Sequence, residues 1–469
     1  MNLKTAKYIH FTGIKGVGMT ALALACQDWG KKISGSDTAE KFPTDKLLSL
    51  RKIKPKIGFQ PNHLPKKCDL LIYTGAHQGI NNPEVQFALA KNIPVLAHAQ
   101  ALGELGKEKS VIAVAGVGGK TTTSALIATV LDSSGYKPSF CVGAGQIFCL
   151  GATGRYDKNG KFLVVEADEF VTDPANDLTP RFHYLKPFIA VITNLEHDHP
   201  DVYPNINAVY ESFRVFCRQA ELLVVNYDNP NNRQWLKNIN QPKITYGFSS
   251  QADWQISKFY LADKKQFFQL KHHGIAWPEM VLNLPGEYNL LNAVATIAVA
   301  DYLGLNRTQI IQGLRRFTGT MRRFEFIGSV KKISLYDDYA HHPSEIKALL
   351  KAAKSWLNGR RLITIFQSHT YSRTKALLPE FSRCFNDADQ VIINDIFASA
   401  REKDNLGLTG AKLAQAIGQF HSQVTYCPAK SETIAFLSKF CLPGDVIFTI
   451  GAGDNWLWHK DILQALKKI

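Results

Sequence analysis

Much is missing from this chain of 469 residues, and each absence narrows its class. No apolar run approaches the roughly 18 residues that a membrane helix needs, so no membrane partner is expected. The first ten residues carry lysines but neither an apolar h-region nor a cleavage site, and residues 8–11 already read as a strand. A cytoplasmic location is therefore expected. The eight cysteines are scattered, with no C-x-x-C pair, and most sit in apolar stretches such as Phe140-Cys141-Val142. They read as small core residues with free thiols. There is no G-x-S-x-G and no Cys/His pairing, hence no sign of a protein nucleophile. There is also no RNP motif, zinc finger or arginine-rich segment, so nucleic acid is not an expected partner. Acidic residues are in deficit: 40 against 55 Lys and Arg, for a net charge of +15. That excess favours anionic partners, and its even spread along the chain suits a phosphorylated small molecule.

What is present is a repeated β-α pattern. Buried strands are expected at residues 8–13, 69–75, 111–116, 162–166, 188–194, 222–226, 361–367, 390–395 and 445–451. Many are Val/Ile-rich with little alternation, as in parallel strands covered on both faces. Amphipathic helices are expected at 122–134 and 345–356. The fold class is α/β, with doubly wound, Rossmann-like parallel sheets. Residues 243–284 alternate apolar and polar positions and predict a small antiparallel addition to a central domain. Length allows about three domains of roughly 150 residues. Charged stretches near 106–110 and 321–325 suggest boundaries that give 1–108, 109–325 and 326–469. Polar or glycine-rich groups fall at the carboxyl ends of the strands, where open α/β sheets bind ligands: Gly13, Gly75, Gly116, Glu166, Asn194, Asp338, His369, Asp395 and Gly451.

The segment Val111-Ile-Ala-Val-Ala-Gly116-Val117-Gly118-Gly119-Lys120-Thr121-Thr122-Thr123 is strand, glycine turn, lysine, hydroxyls and helix. Glycines let backbone N–H groups converge on phosphate oxygens at a helix N-terminus. Lys120 can reach the β- and γ-phosphates of ATP, and Thr121 can offer its hydroxyl to Mg²⁺. Glu166-Ala-Asp168-Glu169 puts three carboxylates at one strand end, where a hard cation would relieve their repulsion. A further strand ends in Thr193-Asn194-Leu195-Glu196-His197-Asp198-His199. Near the start, Gly13-Ile-Lys15-Gly16-Val17-Gly18-Met19 follows a strand and precedes a helix, and a second strand ends in Ser36-Asp37. The order G-x-x-G-x-G differs from the dinucleotide order G-x-G-x-x-G.

These motifs, in this order from about Ile9 to Asn455, resemble the Mur ligases. A-x-G-x-x-G-K-T-T also resembles the phosphate loop of folylpolyglutamate synthetases. The pair E-A-D-E and T-N-x-E-x-D-H is similar to the alanine-adding Mur branch and to its tripeptide-recycling relative. The resemblance implies an ATP-dependent amide ligase of peptidoglycan precursor synthesis. It would join L-alanine to the lactyl carboxylate of UDP-N-acetylmuramate through an acyl phosphate. It implies Mg²⁺ on Thr121, Glu166 and His199, and ATP on Gly116 to Thr122, Asn289, Asn292, Arg323 and Asp338. It assigns the UDP-sugar to Gly13, Gly16, Val17, Gly18, Met19, Ser36, Asp37, Gly75 and Ala76, and the amino acid to His342, His369 and Arg373. The catalytic set it implies is Lys120, Glu166, His199, Arg323 and Asp338. Ala398-Ser-Ala-Arg401-Glu-Lys also resembles the family. A monomer or weak homodimer is expected.

Three departures stand out. Most relatives have Gly at position 15 and His or Asn at 118. Many Mur-type ligases carry a carbamylated lysine 15–20 residues past the metal histidine, whereas no lysine occurs here between Lys186 and Lys237. The alternatives are the tripeptide-recycling ligase and a non-catalytic nucleotide- or nucleic-acid-binding protein. The first is favoured by the long loop from Val171 to Tyr184, ending Phe182-His183-Tyr184. The sequence Phe366-Gln-Ser-His369-Thr-Tyr-Ser372-Arg373-Thr speaks for the alanine-adding branch.

Overall fold

The computed structural model describes residues 2–199, 202–398, 402 and 404–468. Among these residues the strands form three large sheets and one two-stranded ribbon. The chain divides into two compact units. The first runs to Tyr260 and includes Gln266–Asn283 and Asn289–Met321; the second comprises Leu261–Lys265, Leu284–Tyr288 and the residues from Arg322 onward.

In the first unit, a five-stranded sheet has Tyr8–Thr12 at its centre, flanked by Lys32–Asp37 and Leu70–Tyr73, with all pairs parallel. A second, eleven-stranded sheet is built around Ser110–Ala115. That strand is paired in parallel with Pro187–Ile192 on one side and Phe162–Ala167 on the other. The residues of these strands are almost wholly buried, which explains their lack of alternation. One hydrophobic core runs from Leu3 through Ile239 and joins the two sheets, with helix Val17–Asp28 against strands Ser139–Cys141 and Gly154–Arg155.

The expected antiparallel addition begins later than residue 243. Lys243–Gly247 pairs in parallel with Leu222–Asn226, and the start of Trp254–Ala262 pairs in parallel with it. Antiparallel pairing appears where Lys265–His272 meets Ile275–Ala276 and Met280–Leu282. A strand with one covered face alternates in the same way whichever direction its neighbour runs, so alternation could not separate the two cases.

The second unit holds a six-stranded sheet. It is parallel except for the edge strand Glu325–Val330, which pairs antiparallel with Ile333–Asp338. Its charged anchor is Asp337, fully buried, which accepts hydrogen bonds from Arg322 Nε at 2.8 Å and Thr449 Oγ1 at 2.7 Å. His459 Nε2 lies 3.5 Å away. Burial pushes the Asp337 carboxyl up, but Arg322 and His459 outweigh it and hold it below the usual carboxylate value. Asp337→Ala would strand the buried Arg322 guanidinium. The expected loss is about 3–5 kcal/mol of stability in this unit, seen as an earlier guanidinium transition. A shift below about 1 kcal/mol, the worth of an exposed pair, would show that the ion pair does not hold the sheet.

Candidate functional site

The phosphate loop lies between strand Ser110–Ala115 and helix Lys120–Ser133. Gly116 has φ +127° and Gly119 has φ +85°. A Cβ on Gly116 would fall 2.2 Å from Thr193 Oγ1, and one on Gly119 would fall 2.6 Å from Asn292 Oδ1. Both conformation and space therefore demand glycine. Asn194 Oδ1 accepts from Gly118 N at 2.9 Å, and Thr193 Oγ1 donates to Gly118 O at 2.7 Å. Gly118 thus has both backbone groups fixed by the neighbouring strand end, without a side chain of its own. Val117 N is likewise bound to Asn194 O. Thr121 and Thr122 lie buried in the first helical turn.

Lys120 folds back over this turn. Its ammonium donates to Gly116 O at 2.6 Å and meets Glu169 Oε2 at 3.1 Å. Burial disfavours that charge, but Glu169, Asp168 and Glu166 overcome it and hold the lysine above its ordinary value. The three carboxylates have separate partners. Glu166 Oε1 accepts from Gly143 N at 2.5 Å and its Oε2 from Thr121 Oγ1 at 3.2 Å. Asp168 accepts from Arg181 Nη1 at 2.6 Å. Burial pushes Asp168 up, yet Arg181, Lys120 and His199 hold it well below the carboxylate range.

Glu169, Asp198 and His199 place their ligand atoms within 4.8 Å of one another. His199 adopts φ +58° and packs its ring on Phe170 at 4.6 Å. Two carboxylates and one imidazole form a donor set that suits a hard divalent cation completed by water or phosphate oxygens. Of the expected metal ligands, His199 lies in this cluster, while Thr121 and Glu166 are bonded to each other. From sequence Glu169 stands among the three carboxylates that a hard cation would relieve, though the resemblance names only Glu166 of them as a ligand, and Asp198 stands in its motif without a metal role. What revealed them was proximity across two strand ends, which spacing alone does not give.

Asn289 and Asn292 lie on helix Glu287–Tyr302 and are buried. Asn292 Nδ2 donates to Asn289 Oδ1 at 3.1 Å, and Asn292 Oδ1 accepts from Thr123 Oγ1 at 3.0 Å. The pair braces the phosphate loop from behind.

At the carboxyl end of the first sheet, Gly13 N and Ile14 N donate to Ser36 O. Helix Val17–Asp28 starts after Gly16, so Val17, Gly18 and Met19 form its first turn. Asp37 is buried, and its carboxylate accepts from the backbone N–H groups of Lys15 and Thr38, both at 2.7 Å. Ser36 Oγ donates to the buried Glu84 at 2.5 Å. Glu84 was absent from the sequence reading. It also accepts from Thr12 Oγ1 and Gln60 N and faces His10 and His63. Lys15 directs its ammonium to the carbonyls of Thr38 and Glu40 and to Asp45, closing the loop after the second strand. Gly75 and Ala76 follow strand Leu70–Tyr73 and lie between Thr74 and His77, the two residues whose side chains flank Gly13.

In the second unit, both oxygens of the buried Asp338 are occupied, by Phe324 N at 2.7 Å and Ala340 N at 2.8 Å. Burial pushes its carboxyl up to about 6, against the pull of Arg323. Arg323 lies over the Tyr339 ring at 5.3 Å. His342 is the N-cap of helix Pro343–Trp356 and bonds Ser344 Oγ through Nδ1 at 2.7 Å. Burial takes the preceding His341 down to about 4, against the charge of Glu345 and with help from Arg373 and Arg323. His369 stacks on Phe397 at 5.8 Å, and Arg373 lies on the short helix Tyr371–Ala376. Arg401 lies outside the described residues.

Family models match the chain in three successive segments. They are the Mur ligase family catalytic domain over residues 8–110, the Mur ligase middle domain over 114–300, and the Mur ligase glutamate ligase domain over 322–453. A UDP-N-acetylmuramate–L-alanine ligase of Geobacter sp. strain M21 is 37% identical over 464 residues, 98% of this chain and 97% of that one. A ligase of the same name from Caldanaerobacter subterraneus subsp. tengcongensis is 36% identical and matches 100% of both chains. Among solved structures, the UDP-N-acetylmuramate–alanine ligase of Thermotoga maritima superimposes with TM-score 0.82 at 25% identity, covering 99% of each chain. A murein peptide ligase of Psychrobacter arcticus shares the fold, at TM-score 0.73, 23% identity and 99% coverage of each chain. Identity above one third across nearly the whole length, with three family segments in order, makes this chain a member of the Mur ligase family.

Proposed function

We propose that this chain joins L-alanine to the lactyl carboxylate of UDP-N-acetylmuramate at the expense of ATP, giving UDP-N-acetylmuramoyl-L-alanine, ADP and phosphate. The observation that carries this reading is the end-to-end similarity to ligases of that name. The phosphate loop, with its half-buried lysine, supports it chemically. In the proposed division of labour, residues 1–108 hold the UDP-sugar, 109–325 hold ATP, and 326–469 hold the amino acid. No helix among the described residues is long and apolar enough to cross a membrane. A cytoplasmic enzyme that acts as a monomer or weak homodimer, without nucleic acid, agrees with this chemistry.

The reaction divides into two displacements. A carboxylate oxygen of the sugar lactyl group attacks the γ-phosphorus of ATP, and ADP leaves. The amine of L-alanine then attacks the acyl carbon, and phosphate leaves as the amide forms. Lys120 and the N–H groups of residues 120–122, in the first turn of the helix, would hold the transferring phosphoryl group and offset its charge. Its present partners, Gly116 O and Glu169, keep the ammonium in place until phosphate oxygens replace them. Glu169, Asp198 and His199 would hold Mg²⁺, with Thr121 and Glu166 as the further oxygen donors that the resemblance implies, and the ion would supply positive charge against that of the phosphates. Arg323 and Asp338 are the further residues that the resemblance assigns to the nucleotide. Arg373 and His369 would take the amino-acid carboxylate, with His342 capping the helix beside them.

The second reading, a ligase for a recycled tripeptide, is favoured by the hairpin Val171–Asp173 and Asp177–Pro180 that follows the carboxylates. A panel of L-alanine, glycine, L-serine and the tripeptide, each with UDP-N-acetylmuramate and ATP and read by phosphate release, tests both. L-alanine should give the highest kcat/KM, and a preference for the tripeptide would replace the first reading by the second. Lys120→Ala should lower kcat by about 10²–10³, the usual loss on removing one transition-state donor. Near-normal turnover in the folded variant would remove the loop from the mechanism. Glu166→Gln and His199→Ala should each move the Mg²⁺ dependence of the rate to higher concentration. Unchanged Mg²⁺ titrations in both would remove them from the metal site.

A further inference from the structure

The hairpin that follows the carboxylates is anchored at both ends by charge, and one end packs on the loop after strand Leu70–Tyr73 of the first sheet. At its base Arg181 Nη1 donates to Asp168 at 2.6 Å, and Arg181 N donates to Phe170 O. At its tip Asp173 is 1% exposed. Its Oδ2 accepts from Ile80 N at 2.8 Å and its Oδ1 from Ala175 N at 3.2 Å. The loop it grips, residues 74–82, is unusual in its backbone. His77, Gln78 and Gly79 lie consecutively in the left-handed region, at φ +52°, +73° and +53°. Left-handed non-glycine residues are uncommon, and here two of them adjoin a glycine of the same kind.

Packing is equally demanding. A Cβ on Gly79 would lie 2.3 Å from Asp173 Oδ1, and one on Gly75 would lie 2.5 Å from Thr172 O. The glycines thus form a cradle filled by the hairpin tip. The other side of the same loop faces the ligand end of the sheet. His77 Nε2 is 3.7 Å from Asp37 Oδ1, and a Cβ on Gly13 would meet Thr74 Cγ2 at 2.5 Å and His77 Cδ2 at 3.5 Å.

We infer that Asp173 is a positioning residue for the sugar-nucleotide site: it holds the 74–82 loop against the glycine turn and Asp37 from behind, without touching the ligand. The inference rests on the reading that the first sheet holds UDP-N-acetylmuramate. It adds that the hairpin, which also carries the partner of Asp168, joins that site physically to the carboxylates beside Lys120. Other anchors of the loop include Asn82 Nδ2 to His77 O, Gln86 Nε2 to Ile80 O and Thr74 N to Thr12 O, and they keep it folded but less defined when Asp173 is lost.

The test uses the full chain as wild type, Asp173→Asn and Asp173→Ala. Calorimetry with UDP-N-acetylmuramate and, separately, with a non-hydrolysable ATP analogue gives the dissociation constants. Hydrogen exchange of the 74–82 amides reports the loop. Asp173→Ala should weaken sugar-nucleotide binding about tenfold, the scale of one buried hydrogen bond, and speed exchange at Ile80. ATP-analogue binding should stay within about twofold, since the phosphate loop keeps its own anchors. Asp173→Asn is nearly isosteric and retains one acceptor, so it should fall between the other two. Equal sugar-nucleotide affinity in all three proteins overturns this inference alone. So does an equal loss for both ligands, which would mark a general structural role. A wild-type chain that binds no UDP-N-acetylmuramate overturns the functional reading as well.

Discussion

A half-buried ammonium loses part of its hydration and needs fixed negative charge beside it, and Lys120 is such an ammonium. Much of the central sheet can be understood from that need. Parallel pairing sets Val114 beside Glu166, so the carboxylate-rich end of Phe162–Ala167 arrives level with the phosphate turn. On the other flank Ala115 pairs with Ile192, which brings Thr193 and Asn194 to the same level to bind the turn's backbone. Three strand ends thereby share one plane. A one-residue slip of either neighbour would move Glu166 or Asn194 to the opposite face. The register of the sheet and the charge balance of the site are thus one constraint.

The same logic recurs at the other sheets. In the first sheet Glu84 sits under the strand ends, and its oxygens gather Thr12, Ser36, Gln60, His10 and His63. Burial pushes its carboxyl up, but the hydrogen bonds from His10, Ser36 and Thr12 outweigh it and hold the group ionised. In the second unit Asp337 plays this part with Arg322 and Thr449, while its neighbour Asp338 binds two backbone N–H groups. Each sheet therefore carries a buried carboxylate that fixes its loops. Such groups are weak stabilisers compared with apolar packing, but losing a partner is severe, which makes the arrangement specific.

The elements that could be read from sequence are those with a local signature. Strands such as Leu222–Asn226 and Val446–Ile450 announce themselves by continuous apolar composition, and the phosphate loop by glycine, lysine and hydroxyl in fixed order. The parallel start of the 243–284 segment did not, because alternation reports a half-covered face and not the direction of the neighbour. Glu84 and His341 went unread for a different reason: their partners are remote in sequence or distributed. Glu84 lies 72 residues from Thr12 and 48 from Ser36. His341 differs from His342 only in which of two adjacent imidazoles turns inward, a choice made by the cap of helix Pro343–Trp356. Glu169 and Asp198 were visible as acids, but which acids converge depends on how two loops turn after their strands.

Charge at long and short range completes the account. The chain as a whole is strongly positive, at +15, yet the carboxylates Glu166, Asp168, Glu169 and Asp198 concentrate around Lys120 and His199. These two facts do not conflict, because they act over different distances. Screening limits a fixed charge to about 8 Å at physiological ionic strength, so the local field at the cluster belongs to the acids. That field discourages a bare polyanion and admits one that arrives with a cation. Farther out, the basic excess raises the concentration of nucleotide substrates near the surface. A nucleic acid would share the long-range attraction but would have to bring its phosphates into the acidic cluster without any base-reading element to compensate. A basic exterior and an acidic, lysine-centred strand end thus act on a phosphorylated ligand over different distances.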